Sequence, residues 1–396
     1  MRSLRIDRNT ARFMLARLIS GIDTGTAAKL GPLTLTNDAP PVLPGDGWMR
    51  VRPLLTGICG SDLATVEGHA STYFEHWVSF PFVPGHEIVG QLDNGDRVVI
   101  EPVLGHAARG AALPFPDAAP GDGDDYAHLA LPPLEPGIQI GFCNSTGGGW
   151  ATELVAHESQ IHRISPDMPD ERAVLVEPVA GGIHAALLAI KQCAGVTNPV
   201  IAVLGAGTMG LCAVAGLRKF APRATIIVGA RYPIQMQLAK QMGATTVVKA
   251  TDLSRAVRQA VGCHVIGGYL SSGAHATIDA VGNSESIATS LRITRPRGRV
   301  VLMGMPAEVT VNLTGLWHRE TQLMGAYTYG TETLPDGTRA RTFALAIDLA
   351  NEIRMEQLLS ATYPLSDYQH ALRHASEAGA RGAIKVAFDL RQEKTR

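Results

Sequence analysis

A glycine-rich turn between an apolar strand and an apolar helix constrains this chain more than any other feature. The run Val203-Leu204-Gly205-Ala206-Gly207-Thr208-Met209-Gly210 follows the apolar segment 200–204 and precedes the apolar segment 211–220. Gly205 permits a tight turn, Gly207 lets backbone N–H groups approach phosphates at the positive end of the helix, and Gly210 lets helix and strand pack closely. The pattern predicts a site for a dinucleotide pyrophosphate, with Thr208 and Met209 in the same turn.

The residues after the second predicted strand bear on the choice of dinucleotide. An acid normally stands there to bind the ribose 2′-hydroxyl of NAD, but this strand, 224–230, ends in Ala230-Arg231-Tyr232. Arg231 can pair with a 2′-phosphate, and no carboxylate repels it. We therefore predict that NADP(H) is preferred over NAD(H), with Arg231 and Tyr232 at the site. The alternative is that Arg231 is an ordinary solvated loop residue.

Composition narrows the class of protein. The 396 residues correspond to two or three domains, and 45% hydrophobic residues, 18% charged residues and a net charge of −1 indicate a soluble globular chain. No basic stripe and no apolar run of about 18 residues is present, so neither a nucleic acid nor a membrane is an expected partner. The N-terminus lacks the pattern of a signal peptide, which favours a cytoplasmic location. Five widely spaced cysteines make a disulfide framework improbable.

The pattern of predicted elements changes twice along the chain. Residues 1–170 are rich in Gly and Pro with short β-prone runs, which predicts an antiparallel β domain. Residues 171–325 alternate helix and strand, which predicts a parallel sheet with right-handed crossovers. Residues 326–396 are too few to fold alone and are expected to return to the first domain. The predicted fold class is α/β.

Two turns of the first domain hold side chains suited to zinc. Cys59 lies in Gly57-Ile58-Cys59-Gly60-Ser61-Asp62, and His86 lies in Pro84-Gly85-His86-Glu87. A lone Cys or His is more often a packing or hydrogen-bonded residue than a ligand. With Glu177, however, the chain offers thiol, imidazole and carboxylate, and catalytic zinc needs three protein ligands and an open position.

With these motifs, the chain resembles the medium-chain, zinc-dependent alcohol dehydrogenases, in particular their polyol and threonine dehydrogenase branch. The resemblance runs from Ile58 to Phe388 and includes Gly95-Asp96-Arg97-Val98, Gly147-Gly148-Gly149-Trp150-Ala151, Glu177-Pro178 and Lys385-Val386. It implies a GroES-like catalytic domain, 1–170 and 326–396, interrupted by a Rossmann domain, 171–325. It also implies a homodimer or homotetramer that pairs through a Rossmann edge strand, expected at 309–313.

The resemblance assigns roles to individual residues. It implies that Cys59 and His86 are the first two zinc ligands and that Glu87 and Glu177 supply the remaining coordination, without fixing which carboxylate binds directly. Ser61 matches the hydroxyl that bonds the substrate oxygen and passes its proton outward. Asp62 either orients His86 or caps its own turn. Val281 and Gly304 resemble backbone positions beside the nicotinamide, although strand-end turns would use them equally well.

Two departures from the family pattern change the expectations. Many relatives carry a four-cysteine zinc lobe, but segment 101–126 contains no Cys. We therefore predict one catalytic zinc and no structural zinc, since His106 and His128 make a poor cage. Ala64 stands where some relatives have a proton-relay histidine, so either His69 or water completes that path or the relay is shorter.

The expected reaction is hydride transfer between NADP(H) and an alcohol, ketone or aldehyde, with cysteine and histidine at the reacting centre. Segment 71–80 holds four aromatic residues, which favours a bulky, partly apolar substrate unless these rings only pack the loop. A zinc-free reductase of activated double bonds and a non-catalytic nucleotide-binding protein are the alternatives. The intact set Cys59, Ser61, His86 and Glu177 argues against both.

Overall fold

The computed structural model describes residues 1–393. The strands are β1 (Arg2–Ile6), β2 (Leu33–Asn37), β3 (Trp48–Gly57), β4 (Ile88–Leu92), β5 (Arg97–Ile100), β6 (Leu154–His157), β7 (Ile161–Arg163), β8 (Val200–Leu204), β9 (Thr225–Ala230), β10 (Thr246–Lys249), β11 (Val265–Ile266), β12 (Tyr269–Leu270), β13 (Ala274–Asp279), β14 (Thr294–Leu302), β15 (Gln322–Gly325), β16 (Thr331–Thr333), β17 (Arg339–Arg341), β18 (Leu359–Tyr363) and β19 (Lys385–Asp389).

The helices are α1 (Thr10–Ser20), α2 (Thr24–Leu30), α3 (Gly60–Val66), α4 (Asp170–Ala173), α5 (Val176–Lys191), α6 (Thr208–Phe220), α7 (Pro233–Gln241), α8 (Leu253–Val261), α9 (Ser284–Ile293), α10 (Thr314–His318), α11 (Thr342–Glu352) and α12 (Tyr368–Ser376). Contacts divide the chain into two compact units. The first comprises Met1–Glu177 and the chain from Ala350 onward, and the second comprises Pro178–Leu349.

The second unit is built on a six-stranded sheet in which every neighbouring pair is parallel, in the order β10-β9-β8-β13-β14-β15. Taken in chain order, the strands follow the sequence 3-2-1-4-5-6, which is the doubly wound dinucleotide-binding arrangement. Its central strands are buried on both sides, as β8 shows with five consecutive buried residues. The carboxyl ends of these strands therefore form one edge, where ligands bind in such sheets.

The first unit is built on a mostly antiparallel sheet in the order β18-β19-β3-β4-β5-β7, with β6 also paired to β3. The register places Thr56 opposite Ile88 in the β3–β4 pair and Gly57 opposite Ala387 in the β19–β3 pair. The end of β3, the start of β4 and part of β19 therefore lie side by side. The predicted α/β class, with a GroES-like antiparallel domain and a Rossmann-type parallel sheet, is confirmed.

The N-terminal region differs from the predicted all-β pattern. β1 pairs antiparallel with β2, but α1 and α2 lie between these two strands. Both helices have side-chain N-caps, since Asn9 accepts from the Arg12 N–H and Asp23 accepts from the Thr26 N–H. Our prediction missed them because the Gly and Pro content of the whole region outweighed a short local signal.

The predicted edge strand at 309–313 is absent, and the expectation that this segment forms the edge is wrong. β15 is the outer strand of the parallel sheet instead. Residues 309–313 are irregular, and Val311 packs against a small core with Ile287, Leu291 and Val300. Val311 therefore packs against α9 and β14, whereas Val309 and Leu313 are 42% and 51% exposed.

The boundaries of the two units fall later than the predicted domain boundaries at 170 and 326. Segment 326–349 belongs to the second unit because its own contacts hold it there. Glu332 Oε1 lies 2.6 Å from His184 Nδ1 on α5. Within segment 326–349, the rings of Tyr329 and Phe343 pack with centroids 5.6 Å apart.

The helical stretch Asp170–Lys191 is long and apolar enough to cross a membrane, but 72% of that window is buried inside the protein, as in a core helix.

Candidate active site

The register of β3 against β4 brings the two predicted zinc turns together. Gly57 ends β3 and its N–H donates to the Glu87 carbonyl at 2.9 Å, while Cys59 caps the N-terminus of α3 two residues later. A Cβ atom at Gly57 would lie 1.7 Å from Glu87 Oε2. Glycine is thus required at position 57 for the Glu87 carboxylate to stand where it does.

Three candidate ligands form a compact cluster in the first unit. One ligand atom each from Cys59, His86 and Glu87 lies within 4.8 Å of the other two. His86 is 5% exposed and Glu87 is 1% exposed, while Cys59 is half-buried. Sulfur, nitrogen and oxygen donors of this kind suit Zn²⁺, whose bonds to them are about 2.0–2.3 Å long.

Unpaired polar atoms around the cluster support this fit. The His86 Nδ1, the Glu87 Oε2 and the Asp62 Oδ1 atoms are buried without a hydrogen-bond partner. His86 Nδ1 stands 3.4 Å from Asp62 Oδ1, a contact longer than a good hydrogen bond. Buried groups of this kind are costly unless a partner is supplied. A metal ion bound by the cluster would supply the missing partner of the Glu87 carboxylate.

A buried lysine, whose role the sequence reasoning missed, pairs with the cluster. Lys385 on β19 is 4% exposed, and its Nζ donates to Glu87 Oε1 at 2.5 Å and to the Ile58 carbonyl at 3.1 Å. The only sequence signal was its place in the terminal Lys385-Val386 motif. The lysine leaves Glu87 Oε2 as the carboxylate oxygen without a protein partner.

The charged groups of the cluster shift one another's pKa values. Burial alone lowers the pKa of Lys385, but the charges of Glu87, Cys59 and Glu177 outweigh burial and raise this pKa above its ordinary value. Burial likewise opposes the positive charge on His86, yet the neighbouring Asp62 and Cys59 raise the pKa of His86 well above its ordinary value. The site thus attracts positive charge strongly, as a cation-binding centre does.

The remaining predicted residues of this centre lie close by in the chain. Ser61 is half-buried in the first turn of α3, where its carbonyl accepts from the Thr65 hydroxyl. Asp62 is fully buried, and its Oδ2 accepts from the Cys59 N–H at 2.9 Å while its Oδ1 faces His86. Asp62 therefore both caps its own turn and stands beside the imidazole, so the two alternatives coexist.

Glu177 is not part of the three-residue cluster. It is at the start of α5, and its charge acts on Lys385. The arrangement thus offers Glu87 as the carboxylate adjacent to the thiol and the imidazole. His69, the candidate for the proton path, is exposed, and its Nε2 is 3.0 Å from Ser20 Oγ.

In segment 101–137, a buried arginine rather than a cysteine set organises the chain. Arg109 is 3% exposed and donates to the carbonyls of Leu131, Glu135 and Gly137 at 2.7–3.3 Å. The rings of His106 and His128 stack with centroids 3.8 Å apart. Among residues 1–393, these histidines join no group of three possible metal ligands. The number of zinc ions per chain remains a prediction.

The glycine turn of the second unit has the geometry that the sequence predicts. Gly205 follows β8 with φ +96°, and Gly207 is the N-cap residue of α6. A Cβ at Gly210 would lie 2.0 Å from the Gly205 carbonyl oxygen, so close packing demands glycine there. A Cβ at Gly207 would meet nothing within 4 Å. The open space at Gly207 fits the approach of a phosphate group to the backbone.

Thr208 and Met209 form the first turn of α6 and are half-buried. Arg231 is exposed directly after β9, with its guanidinium 5.3 Å from the centroid of the Tyr232 ring. Lys249, at the end of β10, is in register with Ala230. Because adjacent parallel strands end at the same edge, this lysine starts from a backbone position level with the residue before Arg231.

The turns after β13 and β14 meet at the same edge. The fully buried Asp279, which sequence reasoning missed, accepts from the N–H groups of Val281 and Gly282 at 2.9 and 3.0 Å. A Cβ at Gly304 would lie 2.4 Å from the Gly282 nitrogen. Val281 is 46% exposed. Gly304 is therefore required by packing, while Val281 projects from the turn that Asp279 fixes.

Each of the two units matches a family of known proteins. Residues 45–166 match the family model of the alcohol dehydrogenase GroES-like domain, and residues 208–342 match that of zinc-binding dehydrogenase. The chain is 26% identical to erythritol/L-threitol dehydrogenase of Mycolicibacterium smegmatis, covering 87% of this chain and 91% of that one. It is 27% identical to sorbitol dehydrogenase of Arabidopsis thaliana, covering 95% of both.

A solved structure shows the same fold. Acetophenone reductase from Geotrichum candidum, in complex with NAD, superposes with a TM-score of 0.70 at 16% identity, over 99% of this chain and 98% of that one. The matched models, the relatives and the two units described above agree. The chain belongs to the zinc-dependent medium-chain dehydrogenase family, in its polyol dehydrogenase branch.

Proposed function

We propose that this protein is a zinc-dependent alcohol dehydrogenase or carbonyl reductase that transfers hydride between NADP(H) and a small-molecule alcohol, ketone or aldehyde. Membership of the family makes it an NAD(P)-dependent alcohol dehydrogenase. The observation that carries the proposal is the buried cluster of Cys59, His86 and Glu87. A zinc-free reductase of double bonds would have no use for this thiol, imidazole and carboxylate.

The three clustered residues would hold the metal, with Cys59 as thiolate and His86 as neutral imidazole. Zinc bound there would act as a Lewis acid toward the substrate oxygen. Asp62 orients His86 from the Nδ1 side, a common arrangement for metal-bound histidine. Lys385 neutralises one oxygen of Glu87, and Glu177 is the alternative carboxylate. Ser61, on the first turn of α3, is proposed to hydrogen-bond the substrate oxygen and to pass its proton outward.

The dinucleotide would lie on the glycine turn, with its pyrophosphate against the N-terminus of α6. Val281 and Gly304 are proposed to line the nicotinamide half. NADP(H) is preferred in this proposal because Arg231 and Lys249 present two cations near the end of β9 and no acid follows that strand. The cation–π contact with Tyr232 pre-orders the arginine.

The substrate is proposed to be bulky and partly apolar. The ring of Phe142 lies 6.2 Å from that of His86, and 5.4 Å from that of Phe82, so an aromatic wall borders the metal cluster. The Trp77 ring contacts Tyr73 in its own segment and Tyr126 in a later loop. The names of the matched relatives favour a second candidate, a polyol substrate. Comparing kcat/KM for aryl ketones and for polyols decides between these candidates.

Metal content tests the centre directly. Purified wild-type protein is expected to contain about one zinc per chain, and Cys59→Ser is expected to lose it. Cys263→Ser, a change at a half-buried cysteine of the second unit, is the control and should retain the zinc. Wild-type protein purified without zinc, or zinc unaffected by Cys59→Ser, would contradict the proposed centre. Two zinc ions per chain would contradict the predicted absence of a structural site.

Cofactor choice is tested separately. Arg231→Asp is expected to lower the ratio of kcat/KM for NADPH to that for NADH by at least tenfold, because it replaces a partner of the 2′-phosphate with a repelling charge. Lys249→Ala should lower the ratio in the same direction, and Lys240→Ala, on the exposed face of α7, should leave it unchanged. An unchanged ratio in Arg231→Asp would refute this role.

The proposal also includes a cytoplasmic location and a homodimeric or homotetrameric state. Analytical sedimentation of the purified protein tests the oligomeric state.

A further inference from the structure

The helix α1 presents an apolar face to solvent instead of to the core. Four large side chains on it are exposed: Met14 (64%), Leu15 (41%), Leu18 (77%) and, just past the helix end, Ile22 (88%). At 100° per residue these four positions fall within an arc of about 100°, so they form one continuous stripe. This group of four residues is called the α1 stripe below.

The opposite side of α1 is firmly attached to the first unit. Phe13 packs against Phe80 with ring centroids 6.2 Å apart, and Ala16 is fully buried. Ser20 Oγ is 3.0 Å from His69 Nε2. At the start of α2, Asp23 binds Arg373 of α12 through both carboxylate oxygens. The helix is thus fixed on the protein with its apolar stripe outward as a convex ridge.

Both charged side chains within α1 are positive. Arg12 and Arg17 lie on its two flanks, each about 110° around the helix from the centre of the stripe. Both are exposed, and neither forms an ion pair within residues 1–393. The helix contains no acid. The neighbouring α2 also exposes one lysine, Lys29, and one large apolar residue, Leu30 (44%).

This arrangement selects among possible occupants. A second copy packed by two-fold symmetry on α1 would bring its arginines against identical arginines. A folded partner would need an apolar groove shaped to a convex ridge. A lipid surface is deformable, and arginines on both flanks of an apolar stripe can extend to phosphates at the headgroup level.

We propose that α1 is a peripheral membrane-binding element that inserts Met14, Leu15, Leu18 and Ile22 into the headgroup region of an anionic lipid bilayer. Arg12 and Arg17 bind the lipid phosphates on either side. The site is independent of the proposed reaction, since none of its residues belongs to the metal centre or the dinucleotide site. It would hold the enzyme at a membrane surface without any membrane-spanning segment.

The test is co-sedimentation of the full-length protein with sucrose-loaded vesicles, made of phosphatidylcholine alone or of phosphatidylcholine with phosphatidylglycerol. The wild type should sediment with the anionic vesicles and much less with the neutral ones, and added salt should weaken the binding. Arg12→Glu and Arg17→Glu should each reduce the partition coefficient at least about fivefold. Leu18→Ser with Ile22→Ser should abolish binding, while melting temperature and dehydrogenase activity stay unchanged.

Two control variants match these changes. Val265→Ser with Ile266→Ser removes two exposed apolar side chains from the β11–β12 hairpin, and Arg223→Glu, on the second unit, makes the same change of charge as Arg12→Glu or Arg17→Glu. Both should bind vesicles as the wild type does. No binding of the wild type to anionic vesicles would overturn the proposal, and so would equal losses in the control variants. Self-association that the Leu18→Ser, Ile22→Ser protein loses, without vesicle binding, would assign the stripe to a second copy and likewise overturn it.

Discussion

Replacing Gly57 with alanine should weaken metal binding while leaving the fold intact. The new Cβ would stand 1.7 Å from Glu87 Oε2, whereas real Cβ contacts are at least 3.0 Å. The carboxylate oxygen must therefore retreat by about 1.3 Å, which a flexible side chain can do by changing rotamer at a cost of about 1–3 kcal/mol. That movement takes Glu87 away from Cys59 and His86.

We expect the affinity for zinc to fall by about 10- to 100-fold in Gly57→Ala, because the shift resembles the loss of a positioning contact at a metal site. Zinc is measured by competition with a chromophoric chelator, and the melting temperature is measured in the metal-free protein. Gly60→Ala is the matched control, since a Cβ at Gly60 in the same loop meets nothing within 4 Å. Equal zinc affinity in both variants and the wild type would refute the claim that Glu87 reaches the metal.

Three further predictions concern the two units separately. Gly210→Ala should abolish dinucleotide binding, measured by fluorescence titration with NADPH, because the new Cβ would lie 2.0 Å from the rigid Gly205 carbonyl. Arg109→Met should destabilise the first unit by about 3 kcal/mol in urea unfolding, since it leaves three carbonyls without their charged donor. Glu356, paired with Arg172, has its pKa lowered to about 2 by that hydrogen bond. The pair stabilises the folded state fully above pH 4.5, and this stability is lost as the pH falls toward 2, so Glu356→Gln should flatten the dependence of urea stability on pH in that window.

Local patterns were enough to predict the candidate dinucleotide site. The turn from Gly205 to Gly210 joins one strand to the next helix, so every residue that shapes it lies within a few positions in the chain. Spacing alone therefore predicted the strand Val200–Leu204, which the structure reproduces residue for residue. The motif at Cys59 and the motif at His86 were likewise readable, because each occupies a single turn.

Only the tertiary structure decided how these parts combine. Lys385 and Glu87 are 298 residues apart, and they meet because β19 and β4 flank β3 in one sheet. Asp279 takes its role from the turn that its carboxylate closes, and no composition or spacing marks it. Sheet order and register are set by long-range packing, which a pattern of neighbouring residues does not encode.

The N-terminal helices show that the sequence did not reveal which apolar residues are buried either. The sequence predicts no lipid partner, because it contains no basic stripe and no uninterrupted apolar run of about 18 residues. The apolar residues of α1 resemble an ordinary core face, and the sequence cannot tell inside from outside when both Phe13 and Leu18 are hydrophobic. The fold directs Phe13 toward Phe80 and leaves Leu18 in solvent. The amino-acid sequence thus specifies which segments can form a helix or a turn. The burial of a side chain depends on which other surfaces the completed fold packs against it.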